Sequence, residues 1–247
     1  MADEAWSAHW IYDNEHIESV YIMKAMILAA GRGERMRPLT DTIPKSLLKV
    51  NNQSLIVYHV KALVKSGIKD IVINHAHLGK QIEEALGDGS KYGAQITYSP
   101  EGEKGLETGG GIYKALPLLG NDPFIVVNAD VYSDYPFRNL PQRPAGLVHL
   151  VLVDNPSFKG QGDFALQDEH VVNEGYELLT YSGIGVYTPE FFRGCTPGTF
   201  PLAPMLRKAA DAGQVTGEYY KGMWHDIGTP DRLHLVEWEM SKRKASE

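Results

Sequence analysis

"MILAAGRGERMRPLT", Met26–Thr40, runs an apolar strand straight into a loop that holds two glycines and three arginines. The segment Gly31-Arg32-Gly33-Glu34-Arg35-Met36 comes close to the dinucleotide fingerprint G-x-G-x-x-G, but Met36 takes the third glycine's place. That glycine lets helix and strand pack closely in a Rossmann unit. Arg37-Pro38-Leu39-Thr40 does not continue as a helix, so no helix N-terminus is set to receive a pyrophosphate. A nicotinamide enzyme is disfavoured. The P-loop string G-x-x-x-x-G-K-[ST] occurs nowhere in the chain, which disfavours that class of NTPase as well. Two readings remain. Either the loop is an ordinary βα turn with surface arginines, or its backbone N–H groups around Gly31 and Gly33 wrap phosphates while Arg32, Arg35 and Arg37 supply bidentate oxyanion donors.

Working outward, the 247 residues are 43% hydrophobic and 22% charged, with a formal charge of −7. The length suits one generous domain that buries a core without disulfides or structural metal. An acidic chain disfavours a general nucleic-acid surface, so a phosphate ligand must meet a local basic cluster. The single cysteine, Cys195, excludes an intramolecular disulfide framework and fits a reducing, cytoplasmic setting. No stretch approaches the roughly 18 apolar residues that span a bilayer. Residues 1–22 carry five acidic side chains and no basic one, unlike a targeting peptide. They read as an extension of unassigned role, which Trp6, Trp10, Tyr12 and Tyr21 could pack onto the body.

From Lys24 onward strand and helix patterns alternate. Lys24–Ala29, Asp70–Asn74, Ile96–Ser99, Pro123–Asn128 and Gly146–Val153 are short apolar runs of the kind that fill a parallel sheet buried on both faces. Helical patterns at Ser54–Lys65, Leu78–Leu86 and Gly110–Leu119 lie between them. The class is therefore α/β, a Rossmann-like, mainly parallel sheet with helices on both faces, and ligands belong at the carboxyl ends of its strands. After residue 153 the rhythm turns to short, more antiparallel segments broken by acidic and glycine turns. A helix over Pro201–Ala212, a last strand over Tyr219–Asp226 and a helix over Pro230–Lys242 close the chain. Residues 23–153 form a nucleotide-binding half and 154–247 a second half within a single domain.

Other stretches carry chemistry. "TIPKSLLKV" places Lys45 behind Pro44, close in sequence to the arginine loop, as a solvated charge or as part of one cationic pocket. "GLETGGGIYKAL" sets three glycines at a helix start, which costs helix stability. Either a ligand approaches that backbone or the helix merely starts weakly. Asp130, in "VVNADVYSD", ends an apolar strand where such folds bind ligands, and it suits Mg²⁺. Asp226, in "WHDIGTPDR", is a helix cap or a ligand, and Thr229 is better placed to cap. Two carboxylates from distant strands opposite an Arg/Lys pocket make a phosphoryl- or nucleotidyl-transfer constellation. His75 and His77, two apart at a strand end, pack there or form a metal pair.

Taken together, "LAAGRGERMRPLT…PKSLLKV", "LETGGGI", "NAD" and "WHDIGT" resemble, in order, the motifs of the sugar-1-phosphate nucleotidyltransferases, the NDP-sugar pyrophosphorylases. The likeness runs from Met23 to about Trp238. It implies a GT-A-like nucleotidyltransferase fold with a smaller, more antiparallel sugar-binding lobe. It also implies Mg²⁺-dependent transfer of a nucleotidyl group from a nucleoside triphosphate to a sugar 1-phosphate, with neither nucleic acid nor membrane as partner. By position, Leu28, Ala30, Gly31, Thr108 and Gly109 would hold base and ribose, with Gly33 in the phosphate loop and Asn128 supporting the nucleotide side. Arg35 would clamp the leaving pyrophosphate, and Lys45 would sit on the phosphates at the reacting centre. Asp130 and Asp226 would bind Mg²⁺; Asn155, Gly162, Asp163, Glu174 and Ser182 would face the sugar. "INHAHLG", "SPEGE", "LETGGGI" and "LVLVDNP" most resemble the branch that uridylylates N-acetylmuramate 1-phosphate in cell-wall recycling. Other hexose 1-phosphates, or binding without turnover in a nucleotide-sugar sensor, stay as alternatives. The sequence departs from the family at the loop Glu103-Lys104-Gly105, one residue longer, and at Glu107, a usual glycine. The sugar-contacting E-K-P segment has no match.

Overall fold

The computed structural model describes residues 23–244, so the expectations for the 1–22 extension lie outside the described residues. The elements are β1 (Lys24–Leu28), β2 (Lys49–Val50), β3 (Gln53–Ser54), α1 (Leu55–Lys65), β4 (Asp70–His75), α2 (Gly79–Leu86), β5 (Gln95–Pro100), α3 (Glu107–Leu119) and β6 (Phe124–Asn128). There follow β7 (Val131–Ser133), β8 (Val148–Val153), β9 (Ala165–Gln167), β10 (His170–Val172), β11 (Thr180–Tyr187), α4 (Ala203–Asp211), β12 (Val215–Tyr219), β13 (Trp224–Asp226) and α5 (Pro230–Lys244). Among the described residues no helix is long and apolar enough to cross a membrane.

Nine strands make one sheet in the order β5-β4-β1-β6-β11-β8-β12-β10-β9. β5, β4, β1 and β6 run parallel; β4, β1 and β6 carry the apolar runs of strands covered on both faces, while the edge strand β5 alternates buried and exposed residues. β11 is antiparallel to β6 and to β8, while β12 returns parallel to β8. Because β11 sits between β6 and β8, the two halves of the chain share this sheet rather than forming separate layers. Along β1 the side chains alternate between two cores: Ala25 and Ile27 join α1 and α2 on one face, and Met26 joins α3 and α4 on the other. Each face therefore has its own pair of helices, and Ala25, Met26 and Ile27 in the middle of β1 are fully buried.

A third, smaller core decides where the site lies. Met36 packs there, fully buried, with Leu48, Val50, Leu55, Ile227, Leu233 and Val236. Met36 fills the third-glycine place because it anchors the arginine loop to α5 and to the segment carrying Asp226. The expected last strand, Tyr219–Asp226, is in fact two. β12 ends at Tyr219 in the main sheet, and after a turn β13 pairs antiparallel with β7 in a separate two-stranded sheet. That break carries Asp226 out of the main sheet and next to the end of β6.

Candidate active site

Two clefts open at the carboxyl ends of the parallel strands. The first, about 300 Å³, is lined by the β1 loop from Leu28 to Arg32, by Lys45, Ser46, Asn74 and Glu101, and by Lys104–Thr108 and Asn128–Asp130. The second, about 320 Å³, is lined by Arg35, Val131, Pro156, Phe158, Lys159, Thr180–Ser182, Trp224 and Asp226. Asn128 and Asp130 line both, so the clefts meet at the end of β6.

A buried hydrogen-bond chain shapes the first cleft. The Ala29 N–H donates to Asn74 Oδ1 at 2.9 Å, and Asn74 Nδ2 donates to Glu101 Oε1 at 2.6 Å. The Leu106 N–H donates to Glu101 Oε2 at 2.7 Å. Asn74 and Glu101 are both buried, so this carboxylate is held by charge-assisted bonds that tie the ends of β1, β4 and β5 to the start of α3. At each of the three glycines, Gly109–Gly111, a side chain would run into the protein itself. A Cβ at Gly110 would stand 2.2 Å from the Gly198 carbonyl oxygen, and one at Gly111 2.3 Å from Glu101 Oε1. At Gly109 it would strike the Phe200 ring at 2.6 Å. Glu107, in the family's usual glycine place, sits at φ +58°, in the left-handed region that glycine favours.

The junction holds the charges. Pairing of β13 with β7 sets Asp226 opposite Val131, and the Ile227 N–H donates to the Asp130 carbonyl oxygen at 2.9 Å. The two aspartates thus stand on adjoining segments. Lys45, almost wholly buried, donates from Nζ to Asp130 Oδ2 at 2.7 Å. Arg232, in the first turn of α5, donates from Nη1 to Asp226 Oδ2 at 2.8 Å. Arg32 and Arg35 form no hydrogen bond or ion pair among the described residues, and Arg35 lies over Gly228, where a Cβ would come within 3.1 Å of its Nη2. Behind Asp130, the buried ring of His59 donates from Nε2 to the Val131 carbonyl oxygen at 2.8 Å. Burial lowers its pKa to about 4, against smaller opposing effects of that carbonyl and of Asp130. A glycine fits Asn128 into place: Gly183, at φ +80° where β11 bulges, leaves room for the Asn128 amide 2.7 Å from where a Cβ would stand.

Among the described residues no group of three or more His, Cys, Asp or Glu side chains is placed to hold a metal ion. Two carboxylates at the meeting of two clefts fit a different design, in which a hard divalent cation takes its remaining ligands from phosphates and water.

The comparisons bear on this geometry. A family model described as nucleotidyl transferase matches residues 24–146. A Neisseria meningitidis serogroup B protein named N-acetylmuramate alpha-1-phosphate uridylyltransferase is 52% identical over 220 residues, 85% of this chain and 95% of its own length. The chain belongs to the sugar-1-phosphate nucleotidyltransferases. A Caulobacter vibrioides protein of the same name is 32% identical over 88% of this chain and 97% of its own. The fold is shared with a Bacillus anthracis structure described as a glucose-1-phosphate thymidylyltransferase, at TM-score 0.77 and 23% identity over 88% and 94% of the two chains.

In this nucleotidyltransferase the residues expected to hold the nucleotide divide. Leu28, Ala30, Gly31, Lys45, Thr108, Asn128 and Asp130 line the first cleft. Gly33 does not: at φ +66° its carbonyl accepts Thr40 Oγ1 and closes the arginine turn. Gly109 packs under Phe200. Arg35 lies on the second cleft, with Asp226. Of the sugar-facing set, Asn155 donates to the Leu178 carbonyl and accepts from Thr180 Oγ1. Asp163 accepts from Lys159 and from the Tyr181 N–H, and a Cβ at Gly162 would collide with Leu178. These three fold the loop that bears Phe158. Ser182 lines the second cleft, but its Oγ accepts from the Ile184 N–H. Glu174 is exposed on the turn after β10, outside both clefts. His75 packs its ring against Gly79 and pairs with Glu83. Asn74, Glu101, Phe158 and Arg232 join the site without an individual mark in the sequence. The first two lie in "INHAHLG" and "SPEGE", where strand-end position was the available signal. Arg232 had none, since it reaches Asp226 only in the folded chain.

Proposed function

We propose that this nucleotidyltransferase transfers a uridylyl group from UTP to N-acetylmuramate 1-phosphate, releasing pyrophosphate, in a Mg²⁺-dependent reaction that serves cell-wall sugar recycling. The observation that carries the chemistry is the meeting of Asp130 and Asp226 where two clefts join. The choice of sugar and base rests on the 52% identity to the Neisseria relative over nearly its whole length.

In this reading the first cleft takes the nucleotide and the second the sugar 1-phosphate. An oxygen of the sugar phosphate attacks the α-phosphorus, the bond to the β-phosphate's bridging oxygen breaks, and pyrophosphate leaves with that electron pair. No covalent enzyme intermediate is needed, so neither Cys195 nor any histidine is asked to act as a nucleophile. Asp130 and Asp226 would hold Mg²⁺, which when bound neutralises charge on the phosphates. Lys45, held by Asp130, points at the centre where the two substrates meet. Arg35, unpaired beside the aspartates, is free to take phosphate oxygens there, and Arg32 lies in the first cleft as a further pyrophosphate ligand. Catalysis then comes from positioning and preorganised charge. His59 stays neutral and fixes the Val131 carbonyl beneath the junction.

A pyrophosphate-release assay tests this, with UTP, dTTP, GTP, CTP and ATP against N-acetylmuramate, glucose, mannose and N-acetylglucosamine 1-phosphates. The highest kcat/KM should fall on UTP with N-acetylmuramate 1-phosphate. A preference for another pair would replace the substrates, and absence of release with every pair would leave a binding protein.

A further inference from the structure

Asp226 already has a cation. Arg232 Nη1 is 2.8 Å from its Oδ2, and only 19% and 26% of the two side chains are exposed. The guanidinium carbon also lies 3.1 Å from the centre of the Phe158 ring, and Phe158 stands on the loop that lines the second cleft. Arg232 is followed in α5 by Leu233 and Val236, both locked into the core around Met36 and Ile227. The helix is thus pinned, and only the side chain can swing.

The charges at the junction decide what can approach. Asp130 is neutralised by Lys45 and Asp226 by Arg232, while Arg35 adds a positive charge without a partner among the described residues. A bare divalent cation meets two satisfied carboxylates and a surplus of positive charge. A metal–triphosphate complex, carrying net negative charge, meets attraction instead.

We propose that Arg232 is a positioning residue that withholds Asp226 from free divalent ions and yields it when a metal–triphosphate complex enters the first cleft. Its stack on Phe158 ties that exchange to the loop of the sugar cleft. The metal then arrives with the nucleotide, and the sugar cleft takes its final shape afterwards. This rests on the metal-dependent nucleotidyl-transfer reading above.

The test is Mn²⁺ binding to the full chain, read as loss of the free-ion electron paramagnetic resonance signal, first without and then with UTP. Without UTP, Arg232→Gln should bind Mn²⁺ at least roughly tenfold more tightly than wild type, because one positive charge beside the carboxylate is gone. Arg232→Lys, which keeps the charge, should stay within about threefold of wild type. Added UTP should narrow the difference. Unchanged or weaker Mn²⁺ binding by Arg232→Gln overturns the proposal, as does an equal gain in Arg232→Lys. If circular dichroism shows Arg232→Gln unfolded, Phe158→Ala takes its place: it frees the guanidinium from its stack and should strengthen Mn²⁺ binding about threefold, and no change overturns the idea. Pyrophosphate release by wild type in the same buffer separates the two levels. Release together with an unaltered Arg232→Gln affinity removes only the role of Arg232, whereas no release with any sugar 1-phosphate removes the reaction itself.

Discussion

The two clefts are built by opposite means. The first is made of strand ends and backbone, with its wall fixed by the buried Asn74–Glu101 chain and by glycines that let α3 press against residues 198–200. The second is bounded by side chains of β7, β11 and β13, and one wall is a loop, residues 154–163, whose shape depends on Asn155 with Thr180 and on Asp163 with Tyr181. A cleft built on parallel strands is rigid and suits the part of the reaction common to a family. A wall built on a loop can change its side chains without disturbing the sheet, and suits the variable substrate.

Substitutions put this contrast to the test. The largest effects belong to the junction, which serves both clefts. Asp130→Ala and Asp226→Ala should each lower pyrophosphate release by roughly three orders of magnitude or more, about 4 kcal/mol, while circular dichroism stays native. Wild-type turnover in both would remove the metal assignment. Next come Lys45→Ala and Arg35→Ala, each expected to cost about 2–4 kcal/mol in kcat; a change in KM alone would contradict their place at the reacting centre. Glu101→Gln should sharpen the division between clefts. It sets an amide nitrogen among donors and should cost about 2–3 kcal/mol, seen as a raised KM for the nucleotide with the KM for the sugar phosphate unchanged. Equal rises in both would mean that the clefts are not independent.

The smallest expected effect is one of pH. His59 is neutral in the fold, with its pKa lowered to about 4, and charges near pH 6.5 once unfolded. Between those values the unfolded chain binds the extra proton, so stability rises with pH through this window and falls as acid is added. Denaturant melts should show a loss of about 2 kcal/mol from pH 7 to pH 5 that is absent in His59→Gln. An identical pH slope in the variant would remove His59 as its source.

What the sequence disclosed follows the same division. Strand-end residues and the arginine loop were legible because period and glycine placement are local, and the two aspartates stood out by where their strands end. The sheet order was not, since β11 inserts between β6 and β8 through contacts far apart in the chain. The packing role of Gly109 and Gly110 is not legible in the sequence, because the neighbour they admit, residues 198–200, lies about ninety residues away. Asn155, Gly162 and Asp163 carry the right chemistry to meet a sugar, but the fold spends their polar atoms and close contacts on holding the loop. From sequence, a side chain that binds substrate and one that shapes the binding loop look the same. Only the partner of each hydrogen bond distinguishes them.

The central claim is that Asp130 and Asp226 hold one divalent cation against a triphosphate. An anomalous difference map from crystals grown with Mn²⁺ and a non-hydrolysable UTP analogue reads this directly. The account predicts a single peak between the two carboxylates, touching α-phosphate oxygens in the first cleft. A peak bound by only one of them, or lying outside the junction of the clefts, would contradict it.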